Sequence, residues 1–482
     1  MQYKWIVLSN TTLGTLMASL DTNIVLIALP TISRELRATS FFDLLWVLLG
    51  YQLVNGSLLV NFGRLSDMFG RVRLYTFGFA LFTVASALSS LSQTGEQLIA
   101  FRLLQGVGSA FLFSNSGAII TDAFPANERG KALGINQVSI VIGSLLGLVL
   151  GGVLTAVAGW QSIFYVNIPI GIFATAWSHF QLKELAEIRK GQKIDIIGNV
   201  TFAGGLATVL VAVTLDAVSL LQFDMFVILL GTGILLLAAF VITELKVEQP
   251  MLDLSLFRIK LYTAGTIASL LNSLARGAVT LVLTFYLQGP SMGLDALSAA
   301  VFLIPISVSI ALFGPLSGYL SDKHGSRVFA TSGLVVSMVG FLLLAMIGRT
   351  ITFWQMALPL FLVGAGIGLF QSPNRASVMN SVPAWARGIA TGTTTTVFVA
   401  GASFSLGIAF FLLTASVPIA ELQSIFIGGT ALSTAPWVGS FIDSIHQVCY
   451  LSTLFLLLGI IPSVLRGPSR KGGEEMPGPD GP

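Results

Sequence analysis

Three ionisable side chains stand deep inside apolar stretches of this sequence: Asp21, Arg102 and Arg276. A charge at mid-membrane costs on the order of 3 kcal/mol on insertion scales, so each must face protein or water and is a candidate for moving a proton or meeting a charged solute. For Asp21 the chemistry is proton binding and release. Burial favours the neutral acid, a nearby guanidinium favours the carboxylate, and the balance shifts as the site opens to one side or the other. At roughly 1.5 Å per helical residue, Asp21 lies about 24 Å from the first end of its stretch and Arg102 about 9 Å in from the outer end of its own. Those depths permit a pair. The alternatives are a fixed helix-to-helix hydrogen bond for Asp21 and a structural tie to backbone carbonyls for Arg102. Arg276 is either a solute-facing cation or a buried tether for Asn272 or Tyr286.

Polar but uncharged groups gather in the same stretches: Asn23, Tyr51, Gln52, Asn55, Gln105, Asn115, Asn136 and Gln137. Singly each serves as interhelical glue; together they point to an aqueous, substrate-binding cavity lined by the first half of the chain. Gly143, Gly147 and Gly151-Gly152 fall four apart on one helical face, where small residues let helices approach closely. Enzymatic chemistry finds no footing. His179, His324, His446 and Cys449 are scattered, and there is no phosphate-binding GxxxxGK[ST] loop, so no metal, cofactor or ATP-driven step is expected. The driving force should be an ion gradient, and a single deep carboxylate favours protons over sodium.

These groups need walls to hold them, and composition supplies the walls. The 482 residues are 54% apolar and 10% charged with a mean hydropathy of +0.86, where soluble proteins carry about a quarter charged residues. The fold class is all-α, a polytopic membrane protein. Stretches long enough to cross a bilayer number fourteen, at 5–30, 44–62, 74–92, 98–121, 132–157, 162–182, 196–215, 224–243, 261–287, 296–317, 328–348, 352–371, 389–415 and 445–465. An even count puts both termini on one side. Of the 25 Lys and Arg residues, 20 fall in loops on that side, which makes it cytoplasmic by the positive-inside rule and explains the basic balance without nucleic acid. A multi-pass plasma-membrane protein, monomeric in its lipid bilayer, follows as the expectation.

The chain repeats itself. Gly63-Arg64-Leu65-Ser66-Asp67-Met68-Phe69-Gly70-Arg71 returns in weaker form at Gly318 to Gly325, with Asp322 in the place of Asp67, an offset of 255 (318 − 63). Arg129-Gly130 returns as Arg387-Gly388 at an offset of 258 (387 − 129). Two matches at nearly one spacing argue for two six-helix bundles, 1–182 and 261–466, related by pseudo-symmetry. Between them lies 183–260, a linker with two extra spans; 467–482 reads as a disordered tail. The apolar external segment 417–444 is either a re-entrant hairpin or an ordinary packed loop.

The Gly63 to Arg73 stretch resembles the signature between spans two and three of the major facilitator superfamily. Leu20-Asp21-Thr22, Arg102 to Gly108, the Gly-rich run leading to Trp160, Phe164, Asn167 and Pro169, and Pro250 to Arg258 resemble its fourteen-span drug:proton antiporter branch. The resemblance implies two bundles rocking about a central cavity, proton coupling through Asp21 and Arg102, and export of small hydrophobic or cationic compounds. It also implies a gate made of Gly63, Arg64, Asp67, Gly70, Arg71 and Asp322 together with the glycines of span five. Gly147-Leu148 stands where that branch has Gly-Pro. Two alternatives remain: transport of organic anions or metabolites, since two deep arginines outnumber one aspartate, and a non-transporting sensor on the same fold.

Overall fold

A computed structural model of the protein describes residues 2–36, 41–125, 128–185, 195–217, 221–247, 250, 254–289, 291–382, 387–418, 421–422 and 437–467. Sixteen α-helices follow one another among these residues: α1 (Tyr3–Glu35), α2 (Phe41–Phe69), α3 (Arg71–Ser90), α4 (Gly95–Ala123), α5 (Arg129–Ala158), α6 (Ser162–Tyr165), α7 (Asn167–Gln181), α8 (Ile196–Ala217), α9 (Phe223–Glu244), α10 (Lys260–Arg276), α11 (Val279–Gln288), α12 (Ala296–His324), α13 (Ser326–Leu344), α14 (Phe353–Asn380), α15 (Arg387–Ser416) and α16 (Trp437–Leu465). A 3₁₀ turn, Leu254–Arg258, leads into α10. The described residues contain no β-strand. Because α6 and α7 form one crossing and α10 and α11 another, the helices amount to 14 candidate membrane spans, the number the hydropathy pattern predicts.

Helices are the answer a bilayer imposes, since every backbone polar group must be satisfied within its own segment. The break after Arg276 keeps to that rule, because the Ala278 N–H donates to Ser405 Oγ at 3.0 Å. In the first bundle α1 lies along α5, and α4 along α2 and α3. In the second, α14 lies along α12 and α13, and α10 along α15 and α16. The bundles meet through α5 with α12 and α2 with α15.

Of the inserted pair, α8 leans on both α2 and α15, while α9 reaches the rest of the protein mainly through α8. Asn199 Nδ2 donates to the Ser57 carbonyl at 2.8 Å, and Trp46 Nε1 to Thr214 Oγ1 at 3.2 Å, fastening α8 to α2 at two heights.

The glycines of α5 explain how α1 is seated. A Cβ on Gly143, Gly147 or Gly151 would run into the backbone of α1 at Leu16, Leu20 or Ile24, so helix meets helix at backbone distance over about two turns that include Asp21. Gly152 instead abuts Ala296 and Leu297 of the opposite bundle.

The apolar cores differ between the two ends of the molecule. On the face away from the termini a single cluster joins the bundles, running from Ile24, Ile27 and Trp46 to Leu283, Tyr286, Ala299 and Phe410. On the terminal face each bundle keeps its own: Val7, Tyr75, Phe79 and Leu112 in the first, Leu256, Tyr262, Val378 and Ala390 in the second. Gln288 Nε2 also bridges the bundles on the far face by donating to the Ile27 carbonyl at 3.2 Å.

Candidate functional site

Asp21 and Arg102 meet. Arg102 Nη1 lies 2.5 Å from Asp21 Oδ2, and both side chains are 0% exposed. The other carboxylate oxygen accepts from Gln105 Nε2 at 2.8 Å and Asn167 Nδ2 at 2.9 Å, so α1, α4 and α7 are tied through one carboxylate. Gln105 in turn accepts from Arg102 Nη1 at 2.5 Å and donates to Ser86 Oγ at 2.8 Å. Arg102 Nε donates to the Val47 carbonyl at 3.2 Å, and the guanidinium carbon sits 4.2 Å from the centre of the Tyr51 ring. Tyr51 is anchored by a hydroxyl bond to Ser109 Oγ at 2.8 Å. A buried charge pair holds only when its remaining lone pairs and protons are also met. Here Arg102 Nη2 is the group left without a partner.

This network faces the interior of the first bundle. Asp21, Gln105, Tyr51 and Asn115 are all buried, so in this conformation they are not on a surface that a solute touches. Asn115 Nδ2 bonds the Phe111 carbonyl of its own helix at 2.9 Å, and Asn136 Nδ2 reaches Thr15 Oγ1 and Ser116 Oγ, both at 3.1 Å. Asn136 is therefore an interhelical tie, whereas Asn115 turns back onto its own helix. Asn23, Gln52 and Asn55 are half-buried with no side-chain hydrogen bond among the described residues.

The repeated stretch corrects one expectation and refines another. The second span's helix runs past its expected end at 62: α2 continues to Phe69, so Gly63 lies within it, and a Cβ there would meet nothing within 4 Å. The turn is made at Gly70, whose φ of +106° is the left-handed region that glycine tolerates. Its counterpart Gly325, with φ of +88°, makes the same turn between α12 and α13.

Asp67 pairs with Arg71 at 2.7 Å, and Arg71 Nη1 reaches both oxygens of Asp122 at 2.8 Å. Every one of these partners belongs to the first bundle. Glu184 completes the cluster by accepting from the backbone N–H groups of Arg71 and Val72 at 3.0 and 2.9 Å, capping the N-terminus of α3.

Arg64 donates to the Pro250 carbonyl. Burial lowers its pKa, against the opposing pull of Glu244 and Asp195 at the base of the inserted helices. In the second bundle Arg466 bonds Asn374 Oδ1 at 3.0 Å and the Ser326 carbonyl at 2.9 Å. Burial, and then the charge of Arg327, push it down to about 10, so it stays cationic at neutral pH. The side chain of Asp322 lies outside the described residues, as do Met251, Leu252, Asp253 and most of the external segment 417–444.

Arg276 forms neither of the tethers expected of it. No hydrogen bond joins it to Asn272, which is buried, and Tyr286 donates instead to the Gly348 carbonyl at 2.8 Å. Its guanidinium carbon sits 4.6 Å from the centre of the Phe398 ring on α15.

The sequence reading gave no role to Asn167, Ser86, Ser109, Asp122 or Glu184. Asn167 carried a usable signal, since it is an amide in an otherwise apolar crossing. Glu184 did not, because a charged residue just past a span reads as ordinary linker.

Fourteen candidate spans arranged in two bundles, with a polar network sealed inside the first, define a polytopic membrane protein. The Major Facilitator Superfamily profile matches residues 11–406, and the chain belongs to that family. It is 34% identical over 414 residues to the riboflavin transporter RibZ of Clostridioides difficile, covering 85% of this chain and 88% of that one. It is 30% identical over 405 residues to multidrug resistance protein 3 of Bacillus subtilis, covering 83% and 77% respectively. Among solved structures it resembles a D-xylose-proton symporter with a TM-score of 0.66 at 14% identity, covering 98% and 100% of the two chains, a likeness of fold.

Proposed function

We propose that this transporter exports small hydrophobic organic compounds in exchange for protons, with Asp21 as the proton carrier and both termini in the cytoplasm. The observation that carries the reading is the carboxylate of Asp21, held by Arg102, Gln105 and Asn167 with no exposed surface. Protonating Asp21 removes the charge that Arg102 neutralises. Breaking such a buried pair costs about 3–5 kcal/mol, enough to favour a different arrangement of α1 against α4. A substrate cation competing for this carboxylate has to displace three donors inside the bundle, whereas a proton needs no room. The proton is therefore the ligand of Asp21, and the substrate is met elsewhere in the cavity.

The shared core on one face and separate cores on the other support alternating access, with the cytoplasmic side open in this conformation. Asp67, paired within its own bundle, is then a released latch that engages the second bundle when that side closes. A relative named as a riboflavin transporter supports a small organic substrate, and one named as a multidrug resistance protein supports the outward direction.

The test is transport in proteoliposomes carrying an imposed pH gradient, with riboflavin and a lipophilic dye as probes. Wild type should accumulate at least one probe against its gradient, and Asp21→Asn should retain only downhill exchange. Gradient-driven accumulation that survives in Asp21→Asn removes Asp21 from the mechanism.

A further inference from the structure

Arg276 closes the first half-span of the second bundle, about 24 Å from Lys260 and about 18 Å from Gln288 along the helix axis, near the middle of the membrane. Arg102 is neutralised by Asp21. Arg276 has no such counterpart: none of the ion pairs among the described residues includes it. None of its N–H groups donates to a protein acceptor there, and its Nε is buried without a partner. The residue as a whole is nonetheless only partly buried.

Exposure of an arginine to lipid at this depth is costly, so the open part must face water. The neighbours of α10 say where that water is. α14, α15 and α16 cover its other sides: Gly265 abuts Val378 and Asn374, Gly277 abuts Ala402, and Leu271 reaches Gly459. The side of α10 that these helices leave uncovered is the one we assign to the space between the bundles, whose cores are separate on the terminal face.

From this placement we propose that Arg276, stacked on Phe398, is the substrate-recognition point of the cavity and that it selects planar aromatic carboxylates. The guanidinium matches a carboxylate through two parallel N–H···O bonds, a geometry that lysine does not reproduce. Phe398 lies against it at 4.6 Å and holds its plane fixed, so the fork is set before a ligand arrives. The Phe398 ring beside the guanidinium suits an aromatic body behind the carboxylate. After Asp21 and Arg102 cancel, Arg276 is the one deep charge left uncompensated among the described residues, and its sign selects anions over cations.

The inference rests on the reading of this protein as a transporter with a central cavity, but not on proton coupling. Binding is measured at fixed pH on purified protein in nanodiscs, with 2-naphthoate, indole-3-acetate and 4-hydroxybenzoate as anionic probes and 2-naphthylmethylammonium as the matched cation. Wild type should bind at least one carboxylate at least tenfold more tightly than the cation. Arg276→Gln should lose that preference and Arg276→Lys should recover only part of it. Phe398→Leu should weaken the carboxylate several-fold while leaving the cation unchanged. Equal binding of carboxylate by wild type and Arg276→Gln, each monodisperse with an unchanged melting temperature, overturns the proposal. So does a wild type that binds the cation more tightly or binds none of the carboxylates. Should Arg276→Gln fail to fold, the Phe398→Leu variant decides alone, and an unchanged preference there counts against it. Because no gradient is present, a negative result leaves the proton-carrier role of Asp21 untouched.

Discussion

Arg102→Leu removes one partner of a charge pair that is 0% exposed on both sides, leaving Asp21 desolvated. Breaking buried pairs in this way costs about 3–5 kcal/mol. Gln105 and Asn167 still donate to the carboxylate, and hydrogen bonds to a charged group contribute about 1.5–3 kcal/mol each, so the loss should sit at the low end, about 3 kcal/mol. The stranded carboxylate can also be relieved by a proton, which makes the variant less destabilised in acid than at neutral pH. In the double variant Asp21→Asn/Arg102→Leu no charge remains to be compensated, and about 2 kcal/mol should return. The assay is a double-variant cycle of unfolding free energies in lipid or mild detergent, run at two pH values. A double variant as unstable as Arg102→Leu, or a destabilisation that ignores pH, would refute the account of Asp21 as a charge that Arg102 neutralises.

Replacing Asn167 with leucine deletes one donor to the same carboxylate and should cost about 1.5–3 kcal/mol, read as a lower melting temperature that Asp21→Asn partly corrects. Gly147→Ala drives a methyl group into the backbone of α1 beside Leu20; overpacking of this kind costs about 1–3 kcal/mol, and transport should fall with it. Asp67→Asn loses a pair whose side chains are 22% and 20% exposed. Its effect on stability should stay below about 1 kcal/mol, while transport rate changes and ligand affinity in a trapped state does not; lost affinity in that state would contradict a purely gating role.

The fourteen crossings were readable from sequence because bilayer thickness fixes both their length and their hydropathy. The meeting of Asp21 with Arg102 was readable for a related reason: two ionisable groups at matching depth have few other places to go. The amides were harder. Whether Asn23, Asn115 or Asn136 faces a cavity or a neighbouring helix depends on helix rotation, which a sequence with weak amphipathicity on every face does not specify.

Asn136 proved to be an interhelical tie and Asn115 to turn back onto its own helix, while Asn167 proved to hold the carboxylate. The end of the second span was hidden because α2 runs on past its apolar stretch into polar residues, through Gly63 to Phe69. The turn demands a positive φ, and that demand falls at Gly70. Glu184 lies 113 residues from the Arg71 N–H it caps, a distance in sequence that only tertiary structure spans.

The central claim is that Asp21 takes up and releases the proton. Infrared difference spectroscopy of the protein in lipid, acid minus neutral, reads it directly. Wild type should show the carbonyl band of a buried carboxylic acid, sensitive to exchange into deuterated water, and Asp21→Asn should lack that band. A band that persists unchanged in Asp21→Asn belongs to another carboxyl group and contradicts the account.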